Sequence, residues 1–155
     1  MRYRSKTVAT WLALLGGCFG LHRLYLHGTR DALAWLHALP TIAGLIGVRR
    51  VLEFGQDDRV AWVLLPLLGL MLAQAALCAI VYGLTPDAQW DAQRNPGAAV
   101  HVTAWAPVLG VIAALVIGAT ALMATIAFAG QRYFEWQADE SRAQPVADSS
   151  PRPSQ

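Results

Sequence analysis

Charge is the scarcest commodity in this chain. Only 14% of its 155 residues are Asp, Glu, Lys or Arg, whereas a water-soluble domain carries about a quarter. No charged side chain occurs from Val60 to Pro86, and none from Asn95 to Gln131. With 55% apolar residues and a mean hydropathy of +0.39, too little polar material remains to clothe a soluble surface. Lysine is nearly absent, Lys6 standing alone beside eleven arginines. That bias suggests a GC-rich bacterial genome and places the chain in a bacterial cytoplasmic membrane.

Other absences exclude chemistries. No nucleophile elbow, zinc-binding helix or phosphate loop is present, so no enzyme is expected. His22, His27, His37 and His101 supply imidazoles, but no carboxylate or thiol cluster joins them at metal-ligand spacing; neither metal nor cofactor is expected. A net charge of +2 is too small to suggest nucleic acid. Two cysteines, Cys18 and Cys78, make no disulfide framework and read as small packed hydrophobes. The long segments without an acid or a base argue against a proton-coupled pump.

What remains is helix. A helix needs about 20 mainly apolar residues to cross the roughly 30 Å hydrocarbon layer, and lipid-exposed backbone must satisfy its own hydrogen bonds. The apolar runs lack the alternation of barrel strands. The expectation is an all-α polytopic integral membrane protein with four transmembrane helices. The spans fall at about Thr7–Leu26, Asp31–Val48, Val60–Gly83 and Val102–Gly130. They divide the chain into an N-terminal helical hairpin (1–53), a second helix pair (54–131) and a polar tail (132–155) too poor in apolar residues to fold. Trp62, Trp90, Trp105 and Trp136, with Tyr3, Tyr25, Tyr82 and Tyr133, lie near the proposed boundaries, as interfacial rings should. Trp11 and Trp35 lie deeper and suit packing.

Counting Lys and Arg by side orients this arrangement. Nine fall in the N-terminus, the Arg49–Arg59 loop and the tail; Arg23, Arg30 and Arg94 fall on the other side. The bias predicts both termini in the cytoplasm. A competing processing signal exists: Arg2–Lys6, an apolar Thr7–Leu14 and Leu15-Gly16-Gly17-Cys18 resemble a lipoprotein cleavage box. Against cleavage, the chain after Cys18 stays apolar.

Ser5-Lys6-Thr7, then Leu15-Gly16-Gly17, then Gly20-Leu21-His22-Arg23-Leu24-Tyr25-Leu26 resembles the signature of the two-transmembrane (TM2) domain family. The likeness covers about Arg4 to Glu53. Leu24 replaces the usual aromatic, His27 precedes Gly28, and Val48–Glu53 is a loose counterpart of the family's closing motif. The resemblance implies a helical hairpin of largely unassigned biochemical role. Animal members are drawn with the turn in the cytosol, opposite to the charge count.

The interaction or packing candidates are Gly16, Gly20, His22, Arg23 and Tyr25. Gly16 and Gly20 form a G-x-x-x-G pair, and Ala9, Ala13 and Gly17 a second line of small residues; such lines let helices approach closely, between subunits or within one chain. Gly69 with Ala73, and Gly110 with Ala114 and Gly118, repeat the pattern, as bundle packing would. Arg23 could grip a lipid phosphate or a partner's carboxylate, or simply set helix depth with Tyr25. The polar intramembrane candidates are His37, beside the helix-interrupting Pro40, and Gln74, expected to bond across to a neighbouring helix. Pro66 predicts a second bend. The leading expectation is a non-catalytic membrane interaction or assembly component whose partners are the bilayer and other membrane proteins or itself. The alternative is a small transporter or channel subunit using His37 and Gln74.

Overall fold

A computed structural model describes residues 3–143. Six helices follow one another: α1 (Lys6–Gly16), α2 (Leu21–His27), α3 (Ala32–Phe54), α4 (Arg59–Leu84), α5 (Asp87–Arg94) and α6 (Ala106–Ala143), with a 3-10 turn at Gly17–Phe19. Three of them, α3, α4 and α6, are long and apolar enough to cross a membrane. Three of the four expected spans are thus matched among the described residues, and the first is not.

The correction lies in the first one. Thr7–Leu26 is not one helix. Gly16 and Gly17 end α1, and Gly20 adopts φ +75°, a left-handed conformation that glycine takes without a side-chain clash. The chain then reverses. Leu21 closes against Gly16 at the tip, and Leu26 packs on Ala9 one arm back. At the open mouth the Tyr25 hydroxyl accepts the Ser5 amide at 2.8 Å. With eleven residues, α1 is about 16 Å long, half the depth of a hydrocarbon layer. The first two helices therefore make a half-depth hairpin that enters and leaves at the same end.

Around it, α4 is the central helix. Gly44 and Gly47 of α3 bring that backbone onto Leu68 and Leu65 of α4, where a Cβ would lie 2.6 and 2.7 Å from the two amide nitrogens. On the other side Gly69 meets Thr125, and Gly118 meets Ala76. The hairpin docks through alanines: Ala13 is buried with Ala76 and Ala79 of α4 and Ala114 of α6. Between helices in oil no hydrophobic drive exists, so close contact of small residues supplies the attraction. The expected recurrence of small lines as bundle packing is seen at Gly69, Gly110, Ala114 and Gly118.

Each turn is fixed by its own caps. Asp31 accepts the Leu33 amide at the start of α3, and Asp58 accepts those of Val60 and Ala61 at the start of α4, which satisfies amides left without helical partners. Gly28 (φ +87°) and Gly55 (φ +85°) close the preceding helices.

The arrangement of the chain ends in the bundle also departs from the expected sidedness. The N-terminal residues lie beside the end of α4, where the Lys6 ammonium donates to the Thr85 carbonyl. The α6 C-terminal segment lies beside its beginning, where Arg132 reaches Gln56. The N-terminal region and the Arg49–Arg59 loop thus sit at opposite ends of the bundle. Among the described residues, Arg4, Lys6, Arg23, Arg30 and Arg94 occupy the hairpin-mouth end, and Arg49, Arg50, Arg59, Arg132 and Arg142 the far end. Five against five carries no orientation signal.

The helical part of the chain also outruns expectation. α6 continues past residue 132 to Ala143, supported by contacts one turn apart: Arg132 with Glu135, Gln131 with Glu135, and Gln137 with Tyr133. The rest of the proposed tail, 144–155, lies outside the described residues. Trp90, expected at an interface, is instead 4% exposed and packs on Ala9, Leu26 and Tyr82.

Candidate functional site

The residues singled out at the turn do converge, but they face inward. A Cβ on Gly20 would collide with the Ala34 carbonyl oxygen, so α2 and α3 touch there backbone to backbone. Gly17 is nearly as tight: its Cβ would stand 2.7 Å from that of Ala75. His22 is 1% exposed. Arg23 Nε donates to Asp31 at 2.9 Å, and Tyr25 receives Ser5. Gly16, Gly20, His22, Arg23 and Tyr25 therefore build the hairpin itself. The small-residue pairs close contacts within the chain.

A polar cluster surrounds the buried imidazole. His22 stands edge-on to His37 of α3, ring centroids 5.9 Å apart, and tilts against Tyr82 of α4 at 5.8 Å. His37 Nδ1 lies 2.6 Å from the Leu33 carbonyl. A carbonyl only accepts, so Nδ1 carries the proton and Nε2 is left as acceptor for the Gln74 amide at 3.3 Å. That is the cross-helix bond expected of Gln74. Thr41, just after Pro40, places its hydroxyl 2.6 Å from the Cys18 carbonyl at the hairpin tip and 3.0 Å from that of His37. His22 Nδ1 and Gln74 Oε1 are both buried without a hydrogen-bond partner. Cys18 and Cys78 are free thiols at the edge of the same region.

The sequence reading missed a second constellation, which ties down the N-terminus. Asp87 pairs with the Lys6 ammonium and accepts from the Thr103 amide and hydroxyl at 2.8 and 2.7 Å. Burial pushes its carboxyl upward, but the bonds from Lys6 and Thr103 outweigh that and hold it at about 2. Asp91, one turn on, is lowered by the His101 amide, Asn95 and the Tyr3 hydroxyl. Trp90 Nε1 donates to the Arg4 carbonyl at 2.8 Å, and Asn95 accepts the Arg4 amide at 2.8 Å. The readable signal was Asp87, Asp91 and Asn95 at intervals of four around a tryptophan, one polar face on an eight-residue helix.

Residues 2–49 match the TM2 domain family model. No curated protein and no solved structure matches the chain. The match to the TM2 domain ends at Arg49. α4 and α6, against which it docks, lie outside it. Together with three helices long and apolar enough to span a bilayer, the TM2 domain marks a membrane protein in contact with lipid.

Proposed function

We propose that this chain is a non-catalytic component of the bacterial cytoplasmic membrane that works by assembling with other membrane proteins. The observation that carries this reading is the length of α6. Its 38 residues run about 57 Å, far more than the roughly 30 Å of hydrocarbon. The surplus projects at the far end, with exposed Tyr133, Phe134 and Trp136 at the level where rings favour headgroups. Beyond them stand Asp139, Glu140 and Arg142, exposed on a rigid stalk. The candidate residues of the hairpin, by contrast, face the inside of the chain, with His22 1% exposed and Arg23 paired to Asp31, so a partner has more to grip on the stalk.

The test is affinity capture of the full chain from mild detergent, beside a variant carrying Asp139→Lys and Glu140→Lys. A co-purifying membrane protein lost in the variant supports assembly through the stalk. Identical captured sets overturn it.

A second reading, a small transporter or channel subunit, is favoured by the cluster of buried His22 with half-buried His37 and Gln74. Polar groups at membrane depth are costly and are retained for packing or for conduction. Liposome flux that falls with His37→Ala while the chain stays folded supports conduction; no flux in the wild type removes it.

A further inference from the structure

The hairpin stops halfway, and the half of the bundle it does not reach holds an apolar groove. Gly17 rests on Ala75. Immediately beyond, towards the far end, α4 and α6 enclose about 350 Å³ lined by Pro66, Gly69, Leu72, Ala121, Ala124 and Phe128. From Leu65 to Leu72 the groove runs about 10 Å along α4, within one leaflet.

The groove leads to Arg132. Its guanidinium carbon lies 5.4 Å over the Phe128 ring and 5.3 Å over Trp62. The side chain is 8% exposed, and its Nε is buried without a partner. Around it opens a second cavity of about 650 Å³ whose wall alternates in sign: Arg59, Arg132 and Arg142 with Asp57, Glu135 and Asp139. Glu135 and Gln56 hold the two terminal nitrogens of Arg132 at 2.7 and 3.1 Å, with Asp57 at 3.9 Å.

We infer that the α4–α6 groove and its rim form a binding site for one phospholipid bearing a phosphodiester and a primary ammonium, the phosphoethanolamine headgroup. One of its two acyl chains lies in the groove. The phosphate takes the exposed Arg59, with the charge of the buried Arg132 on the cavity wall behind it, and the ammonium takes the carboxylates across the cavity. A purely anionic lipid would meet those carboxylates unfavourably, and a trimethylated amine has no N–H to donate to them. The Trp62 and Trp136 rings flank Arg59 and Arg132, which sets the rim at headgroup height.

The full chain, stripped of lipid in detergent, is offered equal amounts of phosphatidylethanolamine, phosphatidylcholine and phosphatidylglycerol, and retained lipid is counted by native mass spectrometry. Phosphatidylethanolamine is expected to exceed each of the others by about tenfold, as one charge-assisted bond allows. Ala124→Phe, at an exposed position, fills the groove, and Arg132→Gln removes the positive charge behind the phosphate; each reduces that retention. Should Arg132→Gln fail to fold, Arg59→Gln at the exposed neighbour serves instead. Equal retention of the three headgroups, or retention undiminished when the groove is filled, overturns the assignment.

Discussion

Arg23 Nε lies 2.9 Å from Asp31 Oδ2, joining α2 to the cap of the next helix across eight residues. The same device recurs one helix later. Arg50 binds Asp58 through Nε and Nη2 at 2.6 and 3.0 Å, again across eight residues. In each turn the aspartate caps the following helix while the arginine holds the cap in place. Two turns at opposite ends of the bundle are thus fixed by one arrangement.

Asp31→Asn keeps a capping oxygen but loses the pairing, whereas Asp31→Ala loses both. Loss of the cap is expected to lower the detergent-state Tm by about 2–4 °C beyond the Asn variant. Thermal unfolding followed by circular dichroism checks it; equal Tm values for the two variants would remove the cap from the account.

The Lys6–Asp87 contact gives a signed pH dependence. The folded carboxyl sits at about 2 against an ordinary 3.8, so its contribution is complete above the ordinary value and disappears as pH falls through the folded one. Hold on the N-terminus should weaken between about pH 4 and pH 2. Tm of the wild type across that window is expected to fall more steeply than that of Asp87→Asn. Parallel slopes would show that Asp87 does not govern the acid response.

Gly20 and Gly28 both have positive φ, but only Gly20 has a neighbour in the way. Gly28→Ala should cost about 1–3 kcal/mol from backbone conformation alone, since φ 87° with ψ 177° is open essentially to glycine. Gly20→Ala adds a collision with the Ala34 carbonyl and should cost clearly more. Chemical unfolding that ranked Gly28→Ala as the worse would contradict the close approach of α2 and α3.

Single cysteines replacing the exposed Tyr3, Thr29 and Gln56 read the crossing number directly, in a background lacking Cys18 and Cys78. A hairpin that returns to its starting end places positions 3 and 29 on one face of the membrane and position 56 on the other, whereas a fourth crossing would put position 3 with position 56. An impermeant maleimide applied to sealed vesicles should therefore label Tyr3→Cys and Thr29→Cys alike and Gln56→Cys oppositely. Labelling of Tyr3→Cys together with Gln56→Cys, and opposite to Thr29→Cys, would restore a fourth crossing.

The long helices were legible because each is an unbroken apolar run. α4 was expected at Val60–Gly83 and lies at Arg59–Leu84; α3 and α6 begin within a few residues of their expected starts. The hairpin was legible in its residues but not in its direction. Thr7–Leu26 is long enough and apolar enough to cross, and hydropathy counts residues without saying which way they run. Gly16, Gly17 and Gly20 held the missing information, since three glycines in five positions end a helix more readily than they decorate one. Gln74 could be read locally, as a lone amide in oil needs a partner. The hold of Asp87, Asp91 and Asn95 on Tyr3–Lys6 could not, because it spans more than 80 residues of sequence between groups that look solvated.

A loop that dips into oil and returns to its starting face imposes little on the machinery that installs it. Its cations, Lys6 and Arg23, never have to traverse the lipid, and only uncharged atoms descend to the midplane. Biogenesis of this protein then divides naturally: α3, α4 and α6 demand full translocation events, while the N-terminal element can slot in afterwards like a cork.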